Sequence, residues 1–118
     1  MNIQHVVERL SWEVCAGAEM LDKEVTGGYA CDLLSYVMAR AKEGDIWVTI
    51  QSHMNIVAVA TLINLAGIVV TEGNRPDAPA LEKANTEGIP ILLTSLTTYE
   101  VVGQLYALGI HDAGDGDR

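Results

Sequence analysis

Three short polar stretches carry the side chains best suited to chemistry: Gln51-Ser52-His53, Thr71-Glu72-Gly73-Asn74-Arg75 and Thr94-Ser95-Leu96-Thr97-Thr98. Each follows an apolar, β-favouring run and leads into a helical pattern. That places all three at helix N-termini, where unpaired backbone N–H groups and the helix dipole favour an anion. Arg75 is the cation among them, and its planar guanidinium suits a carboxylate or phosphate; pairing with Glu72 or Asp77 is its alternative use. His53 could titrate, bind a metal, hydrogen-bond a base or cap a helix. The expected ligand is a small anionic or nucleotide-like metabolite, with Gln51, His53, Gly73, Asn74, Arg75, Thr94, Thr97 and Thr98 as candidate contacts. The same residue types also serve as ordinary turn and cap formers.

A further stretch, Glu24-Val25-Thr26-Gly27-Gly28-Tyr29-Ala30-Cys31-Asp32, adds Thr26, Gly27 and Gly28 as candidate ligand contacts. Paired glycines permit positive φ and a close backbone approach to a ligand, or a plain chain turn, which is the reading favoured here. Asp32 is expected in the first turn of the following helix, where its charge suits the dipole.

The motifs that usually announce catalysis are missing. The chain has no GxGxxG after a strand, no GxxxxGK[ST], no HExxH and no GxSxG. His5, His53 and His111 are not joined by Cys or carboxylate spacing into a metal set, and Cys15 and Cys31 form neither a CxxC pair nor a disulfide framework. No catalytic residue, metal or cofactor is expected.

The elements that must position these residues recur along the chain. Apolar strands are expected at Trp12 to Ala16, Ile46 to Ile50, Gly67 to Thr71 and Ile89 to Leu93. The last three are almost continuously apolar, as strands are when helices cover both faces of a parallel sheet. Helices are expected over Ile3 to Leu10, Ala30 to Lys42, Asn55 to Ala66, Asp77 to Glu87 and Thr98 to Leu108. Gly44, Gly67, Gly88 and Gly109 are placed to end the last four in left-handed turns. Thr97-Thr98-Tyr99-Glu100 reads as a capping box, and Asp77 as a cap with Pro79 in the first turn. The first long helix is expected to bury Leu33, Leu34, Val37, Met38 and Ala41. The fold class is α/β: a small layered domain of successive βα units, with a mainly parallel four- or five-stranded sheet and helices on both faces. One domain over 1–110 and a flexible acidic tail over 111–118 account for the 118 residues.

The helix from Asn55 has no polar face, so something should cover it. A second copy of the chain meeting Ile56, Val59, Ala60 and Ile63 is the expected cover, giving a homodimer. A net charge of −9 argues against nucleic acid and anionic membrane. No signal-like or membrane-spanning apolar run is present, so a cytoplasmic location is expected. The alternative function is an interaction module that docks on a metabolic or redox enzyme without a small ligand.

The stretches Thr26-Gly27-Gly28-Tyr29-Ala30-Cys31-Asp32-Leu33-Leu34-Ser35-Tyr36-Val37-Met38-Ala39 and Trp47-Val48-Thr49-Ile50-Gln51-Ser52-His53-Met54-Asn55-Ile56-Val57-Ala58-Val59-Ala60 resemble stand-alone DRTGG domains. So does the half running from Gly67 through Thr71-Glu72-Gly73-Asn74-Arg75-Pro76 and Gly88-Ile89-Pro90-Ile91-Leu92-Leu93-Thr94 to Thr98-Tyr99-Glu100. The literal string is absent; Glu24-Val25-Thr26-Gly27-Gly28 comes nearest to it. The resemblance, which runs from about Ile3 to Ile110, implies a small α/β domain similar to the N-terminal domain of HPr kinase. Such domains are often dimeric and occur alone or fused to CBS domains and enzymes. It further implies a regulatory or ligand-binding role, and it carries over no catalytic residue.

Overall fold

A computed structural model describes residues 1–112. The chain runs α1 (Ile3–Leu10), β1 (Glu13–Ala16), a 3-10 turn (Ala18–Met20), β2 (Gly27–Ala30), α2 (Leu34–Arg40), β3 (Asp45–Thr49), α3 (Asn55–Ile63), β4 (Gly67–Val70), α4 (Ala78–Glu87), β5 (Ile91–Leu93) and α5 (Thr98–Ala107). The strands form one sheet in the order β1-β5-β4-β3-β2. Strands β2 to β5 are parallel, and β1 pairs antiparallel with β5, setting Glu13 opposite Leu93.

The continuously apolar strands feed two cores by simple alternation. Trp47, Ile68, Val70, Ile91 and Leu93 point to the side covered by α2, α3 and α4. Ile46, Val48, Val69 and Leu92 point to the side covered by α1 and α5. Trp47 is fully buried, and its Nε1–H donates to the Cys31 carbonyl at 2.8 Å, so this indole leaves no polar atom unpaired.

Several local expectations are corrected. Gly27 and Gly28 lie in strand β2, paired with Asp45 and Ile46, and do not form a turn. The helix expected from Ala30 starts at Leu34, and Asp32 precedes it. Of the stripe expected on that helix, Val37 is buried and Leu34 and Ala41 are half-buried, while Leu33 and Met38 are exposed. Helix α3 ends at Ile63 with Asn64 at φ 62°, three residues before Gly67, which instead opens β4. The left-handed ends at Gly88 and the cap at Asp77 are as expected. Gly44 and Gly109 have positive φ but follow helices that have already closed at Ala41 and Leu108. Gly17, at φ 68°, is a steric requirement: a Cβ there would collide with the Ile89 carbonyl.

The apolar helix α3 is covered largely by its own chain. Ile56, Val57, Val59 and Ala60 are buried in the core that α2, α3 and α4 form with Trp47, Ile68 and Val70 of the sheet, so Ile56, Val59 and Ala60 leave almost no surface for a second copy. Ile63 is half-buried, and Leu62, 70% exposed, is the apolar residue that reaches outward. Three sequential βα units pack α2, α3 and α4 side by side on one face, and this the composition of α3 alone does not reveal.

The acidic tail expected over 111–118 falls outside the described residues except for His111 and Asp112. His111 is anchored: its ring stacks on Tyr106 at 4.0 Å, and its carbonyl accepts from the Gly28 N–H at 3.1 Å.

Candidate functional site at the carboxyl ends of the strands

Helix α4 follows β4 onto one face of the sheet, and α5 follows β5 onto the other. The two connections therefore diverge above the β4–β5 pair, the place where open parallel sheets leave a crevice. Because β1 is antiparallel, its beginning arrives at the same end. A cleft of about 370 Å³ lies there. Gly73, Asn74 and Arg75 come to it from the β4–α4 connection, Thr94 and Ser95 from the β5–α5 connection, and Ser11, Trp12 and Glu13 from the entry to β1.

The two connections are tied to each other. The Glu72 N–H donates to the Leu96 carbonyl at 2.9 Å and the Gly73 N–H to the Thr94 carbonyl at 3.2 Å. Thr71 and Thr98 share a hydrogen bond between their hydroxyls at 2.7 Å. Glu72 sits at φ 62°, unusual for a residue with a side chain, and its carboxylate accepts from the Thr98 N–H at 2.9 Å. The Thr97 hydroxyl accepts from the Glu100 N–H at 3.2 Å, the expected half of the capping box; Glu72 supplies the other acceptor at this helix start.

The helix N-termini are thus filled from within. At α4 the Asp77 carboxylate accepts from the Ala80 N–H at 2.9 Å. At α3 the His53 Nδ1 accepts from the Asn55 N–H at 3.1 Å. Gln51 is occupied in bracing β2: its Nε2 donates to the Asp32 carbonyl at 2.9 Å, while the Asp32 carboxylate accepts from the Thr49 hydroxyl and the Ile50 N–H. The Thr94 hydroxyl accepts from the Leu96 N–H at 3.1 Å.

Arg75 is different. Its guanidinium reaches neither Glu72 nor Asp77 but Glu13, at 3.3 Å across the cleft, with both side chains more than half exposed. The cleft therefore holds a cation whose recorded partner is easily exchanged. Ser11, Trp12 and Glu13 were not visible as site residues in the sequence, because they reach the cleft only through the antiparallel β1–β5 pairing. The indole Nε1–H of Trp12 is buried and has no acceptor among the described residues.

Thr26 and Gly27 stand at the opposite, amino end of the sheet. Thr26 donates to the Glu43 carbonyl at 3.3 Å and lines a separate cleft of about 500 Å³ with Lys23, Glu43 and Asn64. Burial pulls the Lys23 ammonium below its ordinary value, with Asp22 opposing. Gly28 lies on the β2 edge beneath Ile110. The eleven candidate contacts thus separate: Gly73, Asn74, Arg75 and Thr94 share the carboxyl-end cleft. Thr97 and Thr98 stand beside it as the start of α5.

Cys15, close to Glu13 and Arg75, has its thiol pushed up to about 11 by burial and the Glu13 charge, so it stays protonated at neutral pH and is a poor nucleophile. Among the described residues no group of three or more His, Cys, Asp and Glu side chains could hold a metal ion, and no helix is long and apolar enough to cross a membrane.

Comparison with curated proteins returns no match. Among solved structures the chain is similar to the CBS and DRTGG domains of the regulatory region of Clostridium perfringens pyrophosphatase, a crystal structure complexed with its activator diadenosine tetraphosphate. The TM-score is 0.66 at 18% identity, over 86% of this chain and 44% of that one. This chain thus spans less than half the length of that regulatory region. The family model for the DRTGG domain matches residues 5–108, nearly the whole of the described fold, and the chain belongs to the DRTGG domain family.

Proposed function

We propose that the chain is a non-catalytic, ligand-sensing regulatory domain that holds a small metabolite by its carboxylate or phosphate group in the carboxyl-end cleft. The observation that carries this reading is Arg75, presented in an open cleft at the diverging β4 and β5 connections and held there by one exposed ion pair. The domain context supports it, since the similar pyrophosphatase region is a regulatory one crystallised with a nucleotide activator. The nearby acidic groups already have structural work, Glu13 in the ion pair and Glu72 at the start of α5, which speaks against general acid–base catalysis. A cytoplasmic setting suits two cysteines left as free thiols.

Thermal unfolding against a panel of AMP, ATP, diadenosine tetraphosphate, inorganic phosphate, small carboxylates and α-amino acids tests the reading. One chemical class should raise the midpoint with increasing concentration, as linkage requires, and Arg75→Gln should abolish that rise. A midpoint indifferent to every compound would refute it.

A second reading, a docking module, is favoured by one observation. Leu33 just before α2, Tyr36 and Met38 on α2, and Tyr99, Val102 and Tyr106 on α5 are exposed, at the two helices flanking edge strand β2. An enzyme or a second copy could cover them. Sedimentation of the wild type and of Tyr106→Glu separates the cases, a self-associating wild type and a monomeric variant being the result this reading expects.

A further inference from the structure

The carboxyl-end cleft presents one cation and one anion on opposite walls, Arg75 from the β4–α4 connection and Glu13 from β1, 3.3 Å apart. We infer that its ligand is a zwitterion, an α-amino acid, with the carboxylate on Arg75 and the ammonium on Glu13. This rests on the cleft being the ligand site, as proposed above.

Three observations favour this chemistry. The first is charge. A polyphosphate would bring several negative charges against a single guanidinium, beside Glu13, on a chain of net charge −9. A zwitterion leaves the local balance unchanged, because each side chain of the pair exchanges one oppositely charged partner for another. The second is the exchange itself. The side chains of Arg75 and Glu13 are 65% and 56% exposed, so parting them sacrifices an ion pair of the kind that contributes little. The third is size and spacing. About 370 Å³ is near the lower end of ligand sites, and charges that already meet at 3.3 Å best suit a molecule whose own charges are one carbon apart. Ser11, Asn74 and Ser95 add polar groups around the pair, and the space beside Gly73 is open to 4 Å, so a ligand can approach the loop backbone.

The test is isothermal titration of the wild type with the standard α-amino acids, their 2-oxo acid counterparts, inorganic phosphate and ATP. The inference expects saturable binding of an amino acid and binding of its 2-oxo acid at least about ten-fold weaker. Glu13→Gln should remove that preference by weakening the amino acid alone, whereas Arg75→Gln should abolish binding of both. Both sites are exposed, and melting curves verify that the variants fold. Binding of phosphate or ATP with amino acids silent, or amino-acid binding untouched by Glu13→Gln, overturns the zwitterion assignment and leaves the cleft standing. Binding of any probe that ignores Arg75→Gln, or no binding at all, overturns the cleft and the zwitterion together.

Discussion

Arg75 illustrates how little a functional side chain need contribute to folding. Its ion pair with Glu13 is exposed on both sides, so Arg75→Gln should change the unfolding free energy by less than about 1 kcal/mol while removing the ligand-dependent rise in melting temperature. Cys15 makes a pH-dependent prediction. Burial raises its pKa from 9.0 to about 11, so the native state holds its proton where the unfolded chain has begun to lose it. Stability from this source is intact below pH 9 and falls as pH rises from about 9 to 11. Cys15→Ser should flatten that alkaline limb in denaturant titrations. At this scale the caps were legible, because Asp77 and Thr97 act on backbone three residues away. The partner of Arg75 was not, because Glu13 is 62 residues distant and meets it only after the sheet has formed.

Among the elements, β3, β4 and β5 could be located from apolar runs, whereas β2 was hidden. Gly27-Gly28-Tyr29-Ala30 has none of the β-branched character of its neighbours, and its strand state comes from pairing with Asp45 to Val48. The uniformly apolar α3 suggests from sequence a face that needs a second chain, but its burial between α2 and α4 on the sheet explains it. Two substitutions test that account by urea unfolding. Ile56→Ala should cost about 2–5 kcal/mol, whereas Leu62→Glu on the outer side should stay within about 0.5 kcal/mol of wild type. Equal effects at the two positions would contradict it. Gly17 marks another element-level constraint: Gly17→Ala meets the Ile89 carbonyl and a positive φ at once, and should destabilise by at least about 1–3 kcal/mol in the same assay.

For the whole molecule, the alternation of strands and helices was enough to indicate a layered α/β domain, because each continuously apolar strand demands a helix on both sides. Strand order was not legible, and with it went the antiparallel β1 that closes the cleft. Of the candidate residues the fold gathers those of the β4 and β5 connections at one end of the sheet, while Thr26 and Gly27 lie at the opposite end and Gln51 and His53 make bracing and helix-start hydrogen bonds. The most direct test of the central claim is a 15N–1H titration of the wild type with α-amino acids, inorganic phosphate and ATP in turn. The account predicts saturable shifts concentrated in the amides of Ser11 to Glu13, Gly73 to Arg75 and Thr94 to Ser95. Shifts centred on Thr26 and Gly44, or on Tyr29 and Tyr106, or no saturable shift from any of these compounds, would contradict it.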